Sequence, residues 1–174
     1  CSSDLAYLNL EQMAEAGTHL QQIMYLKGSP RLKGLVCNAL GCIQVKLANW
    51  MSVLLRPDLP LQHTPQLTLL TGVAVCRAVR ACSGADAGIK WPNDVLIDGR
   101  KVCGILLEST VEDHEVRYCI AGIGVDVNFD PEDYPEDLTT IATSLKMETG
   151  QSVDRTKLTA AILTEHEQKE ASLL

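Results

Sequence analysis

Lys90-Trp91-Pro92-Asn93-Asp94, Val95-Leu96-Ile97, Asp98-Gly99 and Arg100-Lys101-Val102-Cys103-Gly104-Ile105-Leu106-Leu107 run unbroken through the middle of the chain. The apolar runs 95–97 and 102–107 flank Asp98-Gly99, a dipeptide that tolerates positive φ and favours a two-residue hairpin turn. Strands joined that tightly must be antiparallel, because a parallel crossover needs a dozen or more residues. Just upstream, Ile89 to Trp91 reads as another short strand. Downstream, a polar link from Thr110 to Glu115 leads into a strand from Val116 to Val127.

Further out the signals turn helical. From Asn49, the run Trp50-Met51-Ser52-Val53-Leu54-Leu55 is a buried strand closed by Arg56-Pro57. Thr64 as cap and Pro65 at the first position open a helix. Its apolar face is Leu67, Leu70, Val73, Ala74 and Val79, and it ends before Gly84. Ser2, Ser3 and Asp4, followed by Leu5, Leu8 and Met13 and then Gly17, predict a helix over 4–16. Residues 18–49 carry Gly28, Gly34 and Gly41 among scattered cations (Lys27, Arg31, Lys33, Lys46) and show no clean period. Asp130 to Thr140 is an acidic, proline-containing loop. Asp154, Leu158, Ala161 and Ile162 mark a terminal helix. Strands linked by short turns between helices predict an α+β class rather than a doubly wound sheet. With no repeat, linker or low-complexity tract, the expectation is a single domain over 1–174.

The totals narrow the classes of function. A chain of 174 residues with 46% hydrophobic content can bury a sizeable core. A net charge of −7 excludes general nucleic-acid binding by electrostatics, so an anionic ligand needs a local cluster of cations. No apolar run reaches the ~18 residues that span a bilayer, and Cys1-Ser2-Ser3-Asp4 lacks a basic, apolar leader. A cytoplasmic protein with no membrane partner is expected. The seven cysteines form no Cys-x-x-Cys pair and the four histidines lie far apart. Free thiols used as small core residues, without a metal site, are therefore expected.

The chemistry concentrates in three blocks: 90–94, 100–106, and Gly122-Ile123-Gly124-Val125-Asp126-Val127-Asn128. Lys90 closes a strand beside a proline-fixed turn. Gly104, Gly122 and Gly124 interrupt the two strands that follow. Glycine inside a strand is costly and marks a bulge or the close approach of a ligand or backbone. Read from the residues alone, these are a sheet face cut away for a flat anion, or glycines serving only packing beside a surface lysine.

The same three blocks resemble the signature of biotin protein ligases. Ser2-Ser3-Asp4 and Ser52-Val53-Leu54-Leu55-Arg56-Pro57 are similar to further motifs of that family. The resemblance implies a mixed, largely antiparallel sheet backed by helices, as in class II aminoacyl-tRNA synthetases. It implies ATP-dependent activation of biotin to biotinyl-5'-AMP, then transfer to a lysine of a biotin carboxyl carrier protein, with Mg2+ accompanying ATP. It assigns Lys90 to the ligand's carboxyl or phosphate oxygens and to catalysis. Ser2, Ser3, Gly104, Gly122 and Gly124 fall to the biotin pocket. Trp91, Asn93, Lys101 and Asp126 fall to the adenylate side. It also implies pairing of two copies through a sheet edge.

The pattern is departed from in places. The family's glycine- and arginine-rich loop has as its counterpart residues 35–46, with one glycine and no arginine. Asp126 stands where the family has asparagine. Neither an N-terminal DNA-binding domain nor a C-terminal β-barrel is expected in this span. Two rival readings follow: a lipoate ligase or octanoyl transferase, and a non-catalytic binding module that has lost the arginine loop.

Overall fold

A computed structural model of the chain describes residues 23–25, 35–38, 47–57, 60–113 and 115–170. The helix expected over 4–16, Ser2 and Ser3, and the cations Lys27, Arg31, Lys33 and Lys46 lie outside these residues. The strands are β1 (Ile23–Tyr25), β2 (Leu35–Asn38), β3 (Ala48–Leu55), β4 (Gly88–Lys90), β5 (Asp94–Ile97), β6 (Arg100–Glu112) and β7 (Glu115–Asp126). The helices are α1 (Gln66–Ser83), a short α2 (Leu145–Thr149) and α3 (Arg155–Glu170).

All seven strands form one sheet in the order β1-β2-β3-β7-β6-β5-β4, and every strand pair is antiparallel. The only parallel pairing among the described residues is an isolated bridge between Lys101 and Ala142. The α+β expectation, with a largely antiparallel sheet, holds. Alternation decides which face of the sheet is covered. Met51, Val53 and Leu55 on β3 are buried, as are Cys103 and Ile105 on β6 and Cys119, Ala121, Ile123 and Val125 on β7. They form one core with Leu67, Val75, Ala78 and Val79 of α1 and Leu158 and Ile162 of α3. Residues between them on each strand face the other way, and that second face carries the site.

Several local expectations shift. α1 ends as expected at Gly84, whose φ of 74° suits glycine and whose N–H bonds Arg80 O at 3.0 Å. Thr64, however, does not cap it: the N-cap is Pro65 and no side chain makes a capping bond. A 3-10 turn over Leu61–His63 runs straight into the helix, leaving Thr64 with helical dihedrals and its hydroxyl buried without a partner. The expected strand at Ile89 to Trp91 ends one residue earlier, with Trp91 already in the turn. The polar link at 110–115 is mostly strand, β6 pairing with β7 as far as Glu112 and Glu115. Polar residues are tolerated there because that end of the hairpin projects into solvent, and Asp113, at φ 52°, makes the turn. α2 was not foreseen, although Ser144 accepts from Met147 N at 3.1 Å and Gly150 closes it at φ 71°.

Candidate functional site

The site face is organised by strand register. Trp50 pairs with Gly124, Gly124 with Gly104, Gly104 with Asp94, and Asp94 with Lys90. Cross-strand partners share a face, so these five residues form one row across the sheet. Two residues along, Ser52, Gly122 and Leu106 form the next row. Without side chains at 104, 122 and 124, the sheet is hollowed into a cleft of about 210 Å³. Its walls include Trp50, Ser52, Asn93, Lys101, Asp126 and Tyr134.

A β-bulge places Lys101 in this cleft. Val95 pairs with Cys103 but Leu96 pairs with Lys101, so Val102 is the extra residue on β6. Strict alternation from Gly104 would turn Lys101 towards the core. Instead Val102 and Cys103 are both buried there, and Lys101 shares the cleft face with Asp94 and Leu96. Its Nζ lies 2.7 Å from Asp94 Oδ1. A Cβ built on Gly104 would meet Lys101 Cε and Nζ at 3.3 Å, so the glycine leaves room for this ion pair as well as for a ligand. Along the bulge, Lys101 N donates to Ile141 O and Lys101 O accepts from Thr143 N, both at 2.8 Å. The segment carrying Leu138 and Ala142 is thereby held beside the cleft.

Asn93 fastens the 90–94 turn to the glycine strand. Its Nδ2 donates to Ile105 O at 3.1 Å, and Ile105 N donates to Asn93 O at 2.9 Å. Lys90 is exposed and outside the cleft lining, at the outer end of the row containing Gly104 and Gly124. With strands ~4.8 Å apart, its Cα stands about 10 Å from that of Gly104, a span a lysine side chain can largely cover. Trp91 is 76% exposed and also outside the lining. Asp126, two residues beyond Gly124, lies in the lining, and its Oδ2 accepts from Tyr134 OH at 3.2 Å. Burial pushes its carboxyl up to about 7, against the weaker opposing pulls of the Tyr134 bond and the Lys101 charge.

The structure thus gathers Gly104, Gly122, Gly124, Asn93, Lys101 and Asp126 around one cleft, with Lys90 at the margin. Trp50 and Tyr134 escaped the sequence reading, which gave Asp94 only the part of fixing, with Asn93, the turn that aims Lys90 and not the pairing with Lys101. Asp94 had a signal, standing inside the 90–94 block; Tyr134 had none, coming from a loop whose path depends on the bulge at Val102. Among the described residues, no group of three or more His, Cys, Asp or Glu side chains could hold a metal ion.

Comparison with known proteins gives the cleft a context. Residues 43–128 match the biotin/lipoate A/B protein ligase family. The bifunctional ligase/repressor BirA of Bacillus subtilis is 51% identical over 114 residues, covering 66% of this chain and 35% of that protein. The biotin–[acetyl-CoA-carboxylase] ligase of Paracoccus denitrificans is 38% identical over 106 residues, covering 59% of this chain and 44% of its own. The biotin protein ligase of Aquifex aeolicus in complex with biotin and ATP superimposes with a TM-score of 0.63 at 29% identity, over 72% of this chain and 51% of that one. The chain therefore spans only about a third to a half of the length of these relatives.

Proposed function

We propose that this chain, whose residues 43–128 match the biotin/lipoate A/B protein ligase family, is a domain of the biotin protein ligase type that activates biotin with ATP and passes it to a carrier-protein lysine. The observation that carries this reading is the glycine-floored cleft, with Lys101 held over Gly104 and Lys90 in the same row.

In the first step a biotin carboxylate oxygen attacks the α-phosphorus of ATP. The new carboxyl–phosphorus anhydride forms as the bond to pyrophosphate breaks. In the second, the neutral amine of the acceptor lysine, on a biotin carboxyl carrier protein domain, attacks the acyl carbon. AMP leaves with the bonding pair, and the amine's surplus proton passes to solvent. Two anions must meet in the first step, so cations fixed beforehand offset their repulsion and the charge that develops. Lys101, oriented by Asp94, supplies one such donor inside the cleft; Lys90 supplies a second from its edge. Gly104, Gly122 and Gly124 let the ligand lie against the β6 and β7 backbone, and Asn93 holds the turn between Lys90 and Asp94. Magnesium would enter with the triphosphate, since the described residues offer no group of three or more His, Cys, Asp or Glu side chains to hold it.

A cytoplasmic setting belongs to this reading, supported by Cys76, Cys103 and Cys119 serving as buried thiols. So does pairing of two copies at a sheet edge, for which β4 ends the strand order. The test is exchange of labelled pyrophosphate into ATP. Biotin-dependent exchange is expected. Exchange that requires lipoate would move the assignment to the lipoate branch of the family. Biotin binding without exchange would make the chain a non-catalytic module.

A further inference from the structure

The cleft ends at a carboxylate that the proposed chemistry leaves idle. Asp126 follows Gly122 and Gly124 at two-residue spacing on β7, so its side chain shares their face and lines the cavity. From the loop beyond β7, Tyr134 OH donates to its Oδ2 at 3.2 Å. From β6 it is faced by Lys101, while the buried thiol of Cys103 lies on the core face and feels its charge; from β3 its register partner is Ala48, which carries no charge. Asp133 and Arg100 act at one remove, on Tyr134.

The charge balance of this group is unfavourable to an anion. The charge of the Lys101 ammonium is already offset by Asp94 at 2.7 Å, although it keeps further N–H donors for a ligand. Among the described residues no cation lies within ion-pairing distance of Asp126. With Asp126 ionised, Lys101, Asp94 and Asp126 together carry one net negative charge; with Asp126 protonated they carry none. In a partly desolvated cleft, like charges interact far more strongly than they do in water.

We propose that Asp126 determines the ligand charge the cleft accepts, by making the binding of a carboxylate or phosphoryl ligand conditional on the uptake of one proton at its side chain. The bound acid then donates a hydrogen bond where the ionised form would repel. An asparagine here would preserve the shape and the Tyr134 contact while removing the proton requirement. Burial brings the Asp126 carboxyl to about 7, so the proton is exchanged close to neutral pH. The inference rests on the reading that the cleft takes an anionic ligand of the biotin type.

The experiment is calorimetric titration of biotin into the full chain at pH 6 and pH 8, for the wild type, Asp126→Asn and Tyr134→Phe. Biotin's carboxylate stays ionised across this range. Wild-type affinity is expected to fall about tenfold between the two pH values, as proton linkage requires for a group titrating near 7. Asp126→Asn is expected to bind within twofold of the same affinity at both. Tyr134→Phe, lacking the donor that favours the carboxylate, is expected to retain tight binding to higher pH than the wild type. Equal affinities at both pH values in the wild type, or the same pH dependence in Asp126→Asn, would overturn the proposal. If biotin binds none of the three proteins at either pH, the functional reading fails, and this proposal with it.

Discussion

Lys101 Nζ stands 2.7 Å from Asp94 Oδ1, and the pair lies over Gly104, where any side chain would meet the lysine's terminal atoms. Both partners are mostly buried, 29% and 17% exposed at their side chains. Removing one strands the other's charge in the cleft. Lys101→Met should therefore destabilise the fold by about 1–3 kcal/mol, and adding Asp94→Asn should recover part of that loss. Urea unfolding of the single and double variants checks it; additive losses would show that the two residues are not coupled.

Gly104→Ala should hurt the ligand site more than the fold. Its Cβ would sit 3.3 Å from Lys101 Cε and Nζ, the mobile end of a long side chain, which can move aside at little cost. Displacing the ammonium costs one charge-assisted donor, so biotin affinity should fall roughly tenfold or more while the urea midpoint barely moves. Unchanged affinity by calorimetry would reduce Gly104 to a packing glycine.

Lys90→Ala should fold like the wild type, because Lys90 is exposed at the sheet edge. Biotin-dependent pyrophosphate exchange should nevertheless drop on the order of 100-fold, the usual cost of deleting one fixed charge-stabilising donor, about 3 kcal/mol. Exchange at the wild-type rate would leave Lys101 as the working cation.

Two buried groups should tilt the pH dependence of stability in opposite directions. His166 on α3 faces Thr71 Oγ1 of α1 across 3.1 Å, and its Nδ1 is buried without a partner. Burial lowers its pKa to about 4, so folding favours the neutral ring. Stability on its account is full above pH ~6.5 and drains by up to about 3 kcal/mol as pH falls towards 4. For Asp126, raised to about 7, folding favours the protonated acid. Its contribution is full below pH ~4 and is lost, on the order of 4 kcal/mol, as pH rises through 7. Between pH 4 and about 6.5 the two slopes oppose each other, so urea midpoints should fall with rising pH in His166→Phe, where only Asp126 is left, and rise with pH in Asp126→Asn, where only His166 is left. Variants that track the wild type across the range would remove these residues from the profile.

Thiol reagents should separate the described cysteines by depth. Cys76, Cys103 and Cys119 are buried and Cys82 is half-buried, and burial raises all four thiol pKa values. Cys82 should react first in the native protein, and the other three only on unfolding. Mass spectrometry after timed labelling reads the order; rapid labelling of Cys103 would contradict its place under the sheet. The side chains of Cys1, Cys37 and Cys42 lie outside the described residues.

What the sequence by itself determined is whatever follows from local pattern. Asp98-Gly99 dictates a two-residue hairpin, observed with φ of 47° and 79° at its two positions, and that turn makes β5 and β6 antiparallel. Two-residue alternation in β3 and β7 separates the core face from the site face, so Gly122, Gly124 and Asp126 were bound to share one side. The three glycines could therefore be suspected of lining a site before any fold was known. Which cation enters the cleft was not legible. Alternation counted from Gly104 puts Lys101 in the core; only the pairing of Val95 and Leu96 across the bulge at Val102 reverses it. A bulge arises from the register between two strands and leaves no mark in either strand's own composition. Lys90 looked central because it heads the 90–94 block, yet its strand is the last in the sheet, where its side chain is left exposed. Asp126 was legible as an acid beside glycines. That it is buried beside Tyr134, with the Lys101 ammonium already paired to Asp94, depends on residues 8 and 25 positions away, and only the folded chain brings those together.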